Sequence, residues 1–167
     1  MRIQALVAAM LVGFGANAWA QVRTTVSFFI ASDCPISNAY APEMVRICRA
    51  YEAKGVSCRL VYEDAKIDAA SMHKHIVEYR LGGMLTTADN DRQLADAVHV
   101  TITPTAVVTD AAGHVRYRGR IDNLYINIGR TRQQVTRHDL TDALTAVLAD
   151  QPVKEPVTES LGCYIER

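Results

Sequence analysis

A short run of β-forming apolar residues, Val26-Ser27-Phe28-Phe29-Ile30, stops at Ala31-Ser32-Asp33 and gives way at once to Cys34-Pro35 and a helical pattern. This junction limits the fold more than any other segment. Met44, Ile47, Cys48 and Tyr51 fall at i, i+3, i+4 and i+7, one apolar stripe, while Glu43, Arg46, Arg49 and Glu52 lie away from it. Gly55 stops the helix, and a strand follows in which Val56, Cys58, Leu60 and Tyr62 share one face. Strand, helix and strand in so short a span make a βαβ unit with parallel strands.

Further along, Asp68 opens a helix predicted to reach about residue 81, Gly82-Gly83 interrupts it, and residues 91–98 form a shorter one. Residues 105–109 read as a third strand, 110–113 as a turn and 114–121 as a fourth strand, together a β-hairpin. Leu140, Leu144 and Val147 or Leu148 give a last helical stripe over 139–149, with Thr136 as its expected cap. Beyond Asp150 the chain is polar, carries Pro152 and Pro156, and ends Gly162-Cys163-Tyr164-Ile165 before its last two residues. It reads as a separate tail.

The chain has 167 residues, 49% of them hydrophobic, with 18 basic and 18 acidic side chains. So apolar and neutral a chain is neither disordered nor a non-specific nucleic-acid binder, and its length suits one globular domain. Residues 1–20 pair Arg2 with a short apolar run and end Ala18-Trp19-Ala20, the pattern of a signal peptide cut after Ala20. Removing it takes one Arg and no acid, leaving a net charge of −1. The expected layout is a signal peptide over 1–20, a folded domain over 21–150 and a cysteine-bearing tail over 151–167. A periplasmic or secreted setting without stable membrane insertion follows, and there thiols can be oxidised.

A cysteine just after a strand and at a helix start meets free backbone N–H groups and the positive end of the helix dipole, so thiolate is favoured at Cys34. Pro35 fits an early helical position, since the N–H it lacks would be unused there. The Asp33 carboxylate opposes the effect.

With these residues the chain resembles the thioredoxin superfamily over most of its mature length. Cys34 looks like the attacking cysteine, Ala41-Pro42 is similar to the proline of the active-site helix, and Thr103-Pro104-Thr105 resembles the segment carrying the cis-proline. Asp33-Cys34-Pro35-Ile36-Ser37, the stretch Tyr117-Arg118-Gly119-Arg120-Ile121-Asp122-Asn123 and the Gly162-Cys163 tail are similar to exported, peroxiredoxin-like redoxin-domain proteins. The resemblance implies a thioredoxin-like α/β fold, a central mixed sheet flanked by helices. It also implies that Pro35, Ser37, Thr103 and Pro104 meet substrate. Two positions depart from the family patterns. Ser37 replaces the second cysteine of C-x-x-C, and Ala31 replaces the threonine that precedes a peroxidatic cysteine.

The missing second thiol raises the question of which cysteine answers Cys34. Cys48 lies fourteen residues along the same helix, roughly 20 Å away and beyond the ~7 Å Cα limit of a disulfide. Cys58 begins a strand parallel to the one whose end precedes Cys34, which puts it at the opposite edge of the sheet. A tail of about thirteen residues reaches roughly 45 Å, more than the ~30 Å width of such a domain, so Cys163 is the expected resolving thiol. An intermolecular bridge or a spare thiol is its alternative. Cys48 and Cys58 sit on core-facing stripes, and a structural bridge or two reduced core thiols are equally open.

Among weaker signals, His73 and His75 point about 200° apart on one helix and are expected at the surface, unable to share a metal. His99 precedes the Thr101-to-Pro104 loop. It could complete a thiolate–imidazole metal site with Cys34 and Cys163, although a structural role is the plainer reading. Arg116, Arg118 and Arg120 alternate along the hairpin and are expected to be a solvated edge.

The sequence thus points to an exported thiol-disulfide oxidoreductase needing no cofactor or metal, acting on protein thiols or disulfides with a separate redox partner. A thiol peroxidase and a Cu(I)-binding or copper-delivery protein are the alternatives.

Overall fold

A computed structural model describes residues 24–166, and the signal peptide expected over 1–20 lies outside them. The βαβ unit is present as β1 (Thr24–Ile30), α1 (Pro35–Glu52) and β2 (Val56–Tyr62). After α2 (Ala69–Glu78) come a short strand β3 (Leu85–Ala88), the helix α3 (Gln93–Ala97) and the two-residue strand β4 (Ile102–Thr103). The hairpin is β5 (Thr105–Thr109) with β6 (Val115–Gly119), and a small ribbon β7 (Tyr125–Asn127) with β8 (Arg130–Thr131) precedes α4 (Asp139–Leu148). The tail ends in β9 (Cys163–Tyr164).

Five strands form the central sheet in the order β3-β2-β1-β5-β6. β1 runs parallel to β2 and β2 to β3, while β1 with β5 and β5 with β6 are antiparallel, so the sheet is mixed. The period of two along each strand divides the core. Val26, Phe28, Ile30, Leu60, Tyr62, Ala106 and Val108 meet the apolar stripes of α1 and α4 on one face. Phe29, Val61 and Val107 meet Ala95 and Val100 on the other. Among the described residues no helix is long and apolar enough to cross a membrane.

Several local expectations are corrected. β3 was not legible, because its Leu85 is 71% exposed and the strand lies at the sheet edge without an apolar alternation. Thr136 does not cap α4. Its hydroxyl and N–H are both taken by the side chain of Asn123, and the helix begins after His138. The arginine row on β6 is not a solvated edge: Arg116 pairs with Asp110 at 3.2 Å, Arg118 donates to the Val98 carbonyl at 3.0 Å and Arg120 pairs with Asp139 at 2.7 Å. The open side of β6 is also taken, since the Arg118 N–H donates to the Pro156 carbonyl and the Thr158 N–H donates back to Arg118. Gly119 permits this contact, because a Cβ there would stand 2.1 Å from the Thr158 hydroxyl.

Cys48 and Cys58 form a disulfide with Cα atoms 5.9 Å apart, tying the last turns of α1 to the start of β2. The bridge closes a short loop, so the entropy it removes from the unfolded chain is worth about 2–3 kcal/mol in the loop-closure account. Replacing both cysteines by alanine is expected to lower unfolding stability in denaturant by that amount with an unchanged fold by circular dichroism.

Candidate active site

β1 delivers the chain to a tight loop that is tied down before the helix begins. The Ser32 N–H and hydroxyl both donate to the Asp64 carboxylate, the latter at 2.5 Å, and the Asn38 amide donates to the Ser32 carbonyl at 3.0 Å. Cys34 is the residue at the N-cap of α1, Pro35 follows within the first turn, and the Cys34 side chain is 0% exposed. On the facing segment the Thr103–Pro104 peptide is cis, and the Cys34 thiol donates to the Thr103 carbonyl at 3.4 Å. Ser37, Thr103 and Pro104 are buried around the sulfur, whereas Pro35 is exposed.

The tail enters this site. β9 pairs antiparallel with β4, Cys163 opposite Thr103 and Tyr164 opposite Ile102, and the Ile165 N–H donates to the Thr101 carbonyl at 3.0 Å. Both thiols are reduced, and Cys163 stands opposite Thr103, whose carbonyl accepts from the Cys34 thiol. The two respond oppositely. Burial pushes the Cys34 thiol up, but its polar neighbours Cys163, Ser37 and Thr103 outweigh it and hold Cys34 below the ordinary thiol value. The Cys34 side chain makes no capping bond to the helix N–H groups, and the Ser37 hydroxyl is buried without a hydrogen-bond partner. Burial pushes Cys163 up to about 12, helped by its contact with Cys34 and by the charge of Asp33. One thiol is thus prepared to ionise and the other to keep its proton.

Sequence reasoning missed the polar frame behind this pair. His75 is buried rather than at the surface, its Nε2 2.9 Å from the Asn38 carbonyl oxygen and its Nδ1 2.9 Å from the Tyr62 hydroxyl. Because the Asn38 amide NH₂ is committed to Ser32, its oxygen faces the ring, which fixes His75 as the neutral Nε2–H tautomer accepting from Tyr62. Burial lowers its pKa accordingly. The signal was available: Met72, His75, Ile76 and Tyr79 fall at i, i+3, i+4 and i+7, an apolar stripe that contains the histidine. His73 is exposed, as expected. His99 is also exposed, and no group of three or more metal-ligating side chains forms among the described residues.

Glu63, just past β2, was likewise not singled out. It is 6% exposed, and its carboxyl oxygens meet no donor. It borders a cavity of about 280 Å³ shared with Asp33 and Cys163. Burial, reinforced by the neighbouring Asp89 carboxylate, raises its pKa to about 8. Asp89 is itself held by the N–H groups of Leu94 and Ala95.

No protein-family model matches the chain, and no curated relative matches its sequence. Among solved structures, an uncharacterised conserved protein from Geobacillus kaustophilus is 28% identical, with a TM-score of 0.74 over 87% of this chain and 78% of its own. A hypothetical protein from Sinorhizobium meliloti 1021 is 21% identical with the same TM-score, covering 87% of this chain and 80% of its own. A secreted Mycobacterium tuberculosis disulfide oxidoreductase homologous to E. coli DsbE is 20% identical, with a TM-score of 0.50 over 78% and 83%. The fold is thioredoxin-like. In this thioredoxin-like frame, the cysteine at the N-cap of α1 meets the carbonyl of Thr103, the residue before the cis-proline.

Two outcomes follow from the charges. Ser37→Ala removes a buried hydroxyl beside Cys34 that favours its thiolate, so the pH midpoint of Cys34 alkylation by iodoacetamide is expected to move upward; an unchanged midpoint would deny Ser37 that role. Glu63 holds its proton more tightly folded than unfolded, so its own contribution to stability is largest at low pH and declines as pH rises toward about 8. The thermal unfolding midpoint of Glu63→Gln should therefore rise relative to that of the unsubstituted protein between about pH 5 and about pH 8, and a constant difference would deny Glu63 that titration.

Proposed function

We propose that the chain is a thiol-disulfide oxidoreductase in which Cys34 attacks and Cys163 resolves. The observation that carries this reading is the pairing of β9 with β4, which sets Cys163 opposite Thr103, whose carbonyl accepts from the fully buried thiol of Cys34 at the N-cap of α1. The Cys34 thiolate attacks one sulfur of a client disulfide, forming a mixed disulfide and expelling the other client sulfur as thiolate. Cys163 gives up its proton and attacks the Cys34 sulfur, closing a Cys34–Cys163 disulfide and releasing the second client thiolate. The client gains two electrons, and a separate thiol partner returns the pair to its reduced form. Run in reverse, the same steps oxidise a client dithiol.

Thr103 accepts from the Cys34 thiol, Ser37 neighbours it, and Pro104 and Pro35 adjoin these residues in the chain, which supports their contact with a client backbone once the site opens. Cys48–Cys58 takes no part, being at the far end of α1. An exported setting accords with the leader pattern and with the secreted disulfide oxidoreductase of similar fold. Mass mapping after mild oxidation tests the pairing. A Cys34–Cys163 peptide should appear beside Cys48–Cys58, and Cys163→Ala should accumulate the client mixed disulfide at Cys34. Oxidised protein that never carries the Cys34–Cys163 linkage would overturn the two-thiol mechanism.

A further inference from the structure

The tail does more than carry a thiol, because β9 lies on β4 beside the buried Cys34 sulfur. Cys34 is 0% exposed with β9 seated on β4, so a polypeptide disulfide cannot reach it in this arrangement. The seated segment also shows what the slot accepts. A Cβ on Gly162 would stand 1.8 Å from the Thr103 carbonyl oxygen, 2.7 Å from its carbon and 3.1 Å from Pro104 Cδ. Those atoms belong to backbone and to a ring, and the segment is buried, so they do not yield. Tyr164 on the other side of the cysteine is 80% exposed and meets no such limit.

We propose that the edge of β4 is a docking slot for an extended client segment whose reactive cysteine is preceded by glycine, and that the tail is the slot's tethered occupant. A client in the register of β9 places its sulfur at Cys34 only if the preceding residue has no Cβ. The proposal rests on Cys34 being the attacking thiol and adds the chemistry of the partner. It also makes access conditional on release of residues 162–165 from β4.

The test uses two full-length proteins, Cys163→Ser and Cys163→Ser with Gly162→Ala, in which Cys34 is the remaining free thiol. The probes are the peptide Ser-Leu-Gly-Cys-Tyr-Ile-Glu and its Ala-Cys counterpart, each activated as a mixed disulfide with thionitrobenzoate. Cys34 thiolate attacks the peptide sulfur, the peptide–thionitrobenzoate bond breaks, and thionitrobenzoate leaves as the coloured thiolate. In the double variant, whose tail cannot seat, the Gly-Cys peptide should react about tenfold or more faster than the Ala-Cys peptide. The single variant, tail seated, should react about tenfold or more slowly with either and keep the same preference, which serves as the measurement if the double variant does not fold. Equal rates for the two peptides would overturn the slot. Reaction with the small disulfide dithiobis(nitrobenzoate) but no peptide preference leaves Cys34 as nucleophile and removes only the slot. No reaction of Cys34 with that small disulfide removes both readings.

Discussion

Two strands of two residues each, β4 and β9, carry the tail cysteine to the N-cap cysteine of α1. Pairing Thr103 with Cys163 brings a tail thiol to a helix-capping thiol far away in sequence, and it does so through backbone rather than through side-chain complementarity. The consequence is strict geometry at little cost in sequence. Gly162 must lack a side chain because the Thr103 carbonyl occupies the space, and that same carbonyl accepts from the Cys34 thiol. One oxygen therefore fixes the height of the tail above the site and receives the proton of the sulfur that the tail covers.

The pair divides one proton between unequal partners. A dithiol in which both members ionised readily would place two thiolates in contact, with the repulsion of like charges in a poorly hydrated site. Here the helix start and the surrounding donors favour charge on Cys34, while burial and the neighbouring Asp33 hold Cys163 in its neutral, donating form. The surrounding polar frame obeys the same logic. His75 is kept neutral by burial between Tyr62 and Asn38, and Glu63 is kept protonated beside Asp89. Cys34 is thus the group near the loop for which the fold favours the charged form despite burial.

The sequence is most informative where periodicity and chemistry coincide. The strand ending before Cys34, the stripe at Met44, Ile47, Cys48 and Tyr51, and the alternation from Val56 to Tyr62 define the βαβ unit, and its geometry alone separates Cys34 from Cys48 and Cys58. Elements with weak patterns stay hidden. β3 has an exposed leucine and two threonines, and β4 and β9 are too short to carry any period, so the pairing that assembles the site leaves almost no trace beyond a glycine before a cysteine. The arginines of β6 were misread for a related reason. Alternation read them as one solvated row, but Arg118 reaches the Val98 carbonyl and Arg120, beyond the end of β6, reaches Asp139, partners that come from distant sequence. His75 was misread because each histidine was judged by its neighbour two residues away rather than by the stripe it joins.

How firmly the tail sits follows from what holds it. Its apolar contacts are partial: Val153, Leu161 and Ile165 pack against the core, while Val157 is 59% exposed and Tyr164 80% exposed. Its other attachments are backbone hydrogen bonds to Arg118 and Thr101 and hydroxyl contacts of Thr158 with Tyr117 and of Ser160 with Thr105. Each such bond exchanges with water on release and is worth about 1 kcal/mol net, whereas burying a core side chain contributes about 2–3 kcal/mol. The tail can therefore open in sections while the sheet, packed on both faces by α1, α4 and the residues around Ala95, stays intact. The segment at Pro156 to Thr158 is anchored by two bonds to Arg118 along the open edge of β6, so the proposed release of the shorter β9 contact would leave the tail attached to the domain. Protection of the thiol and access to it are then two positions of the same six or so residues, separated by a few hydrogen bonds rather than by unfolding.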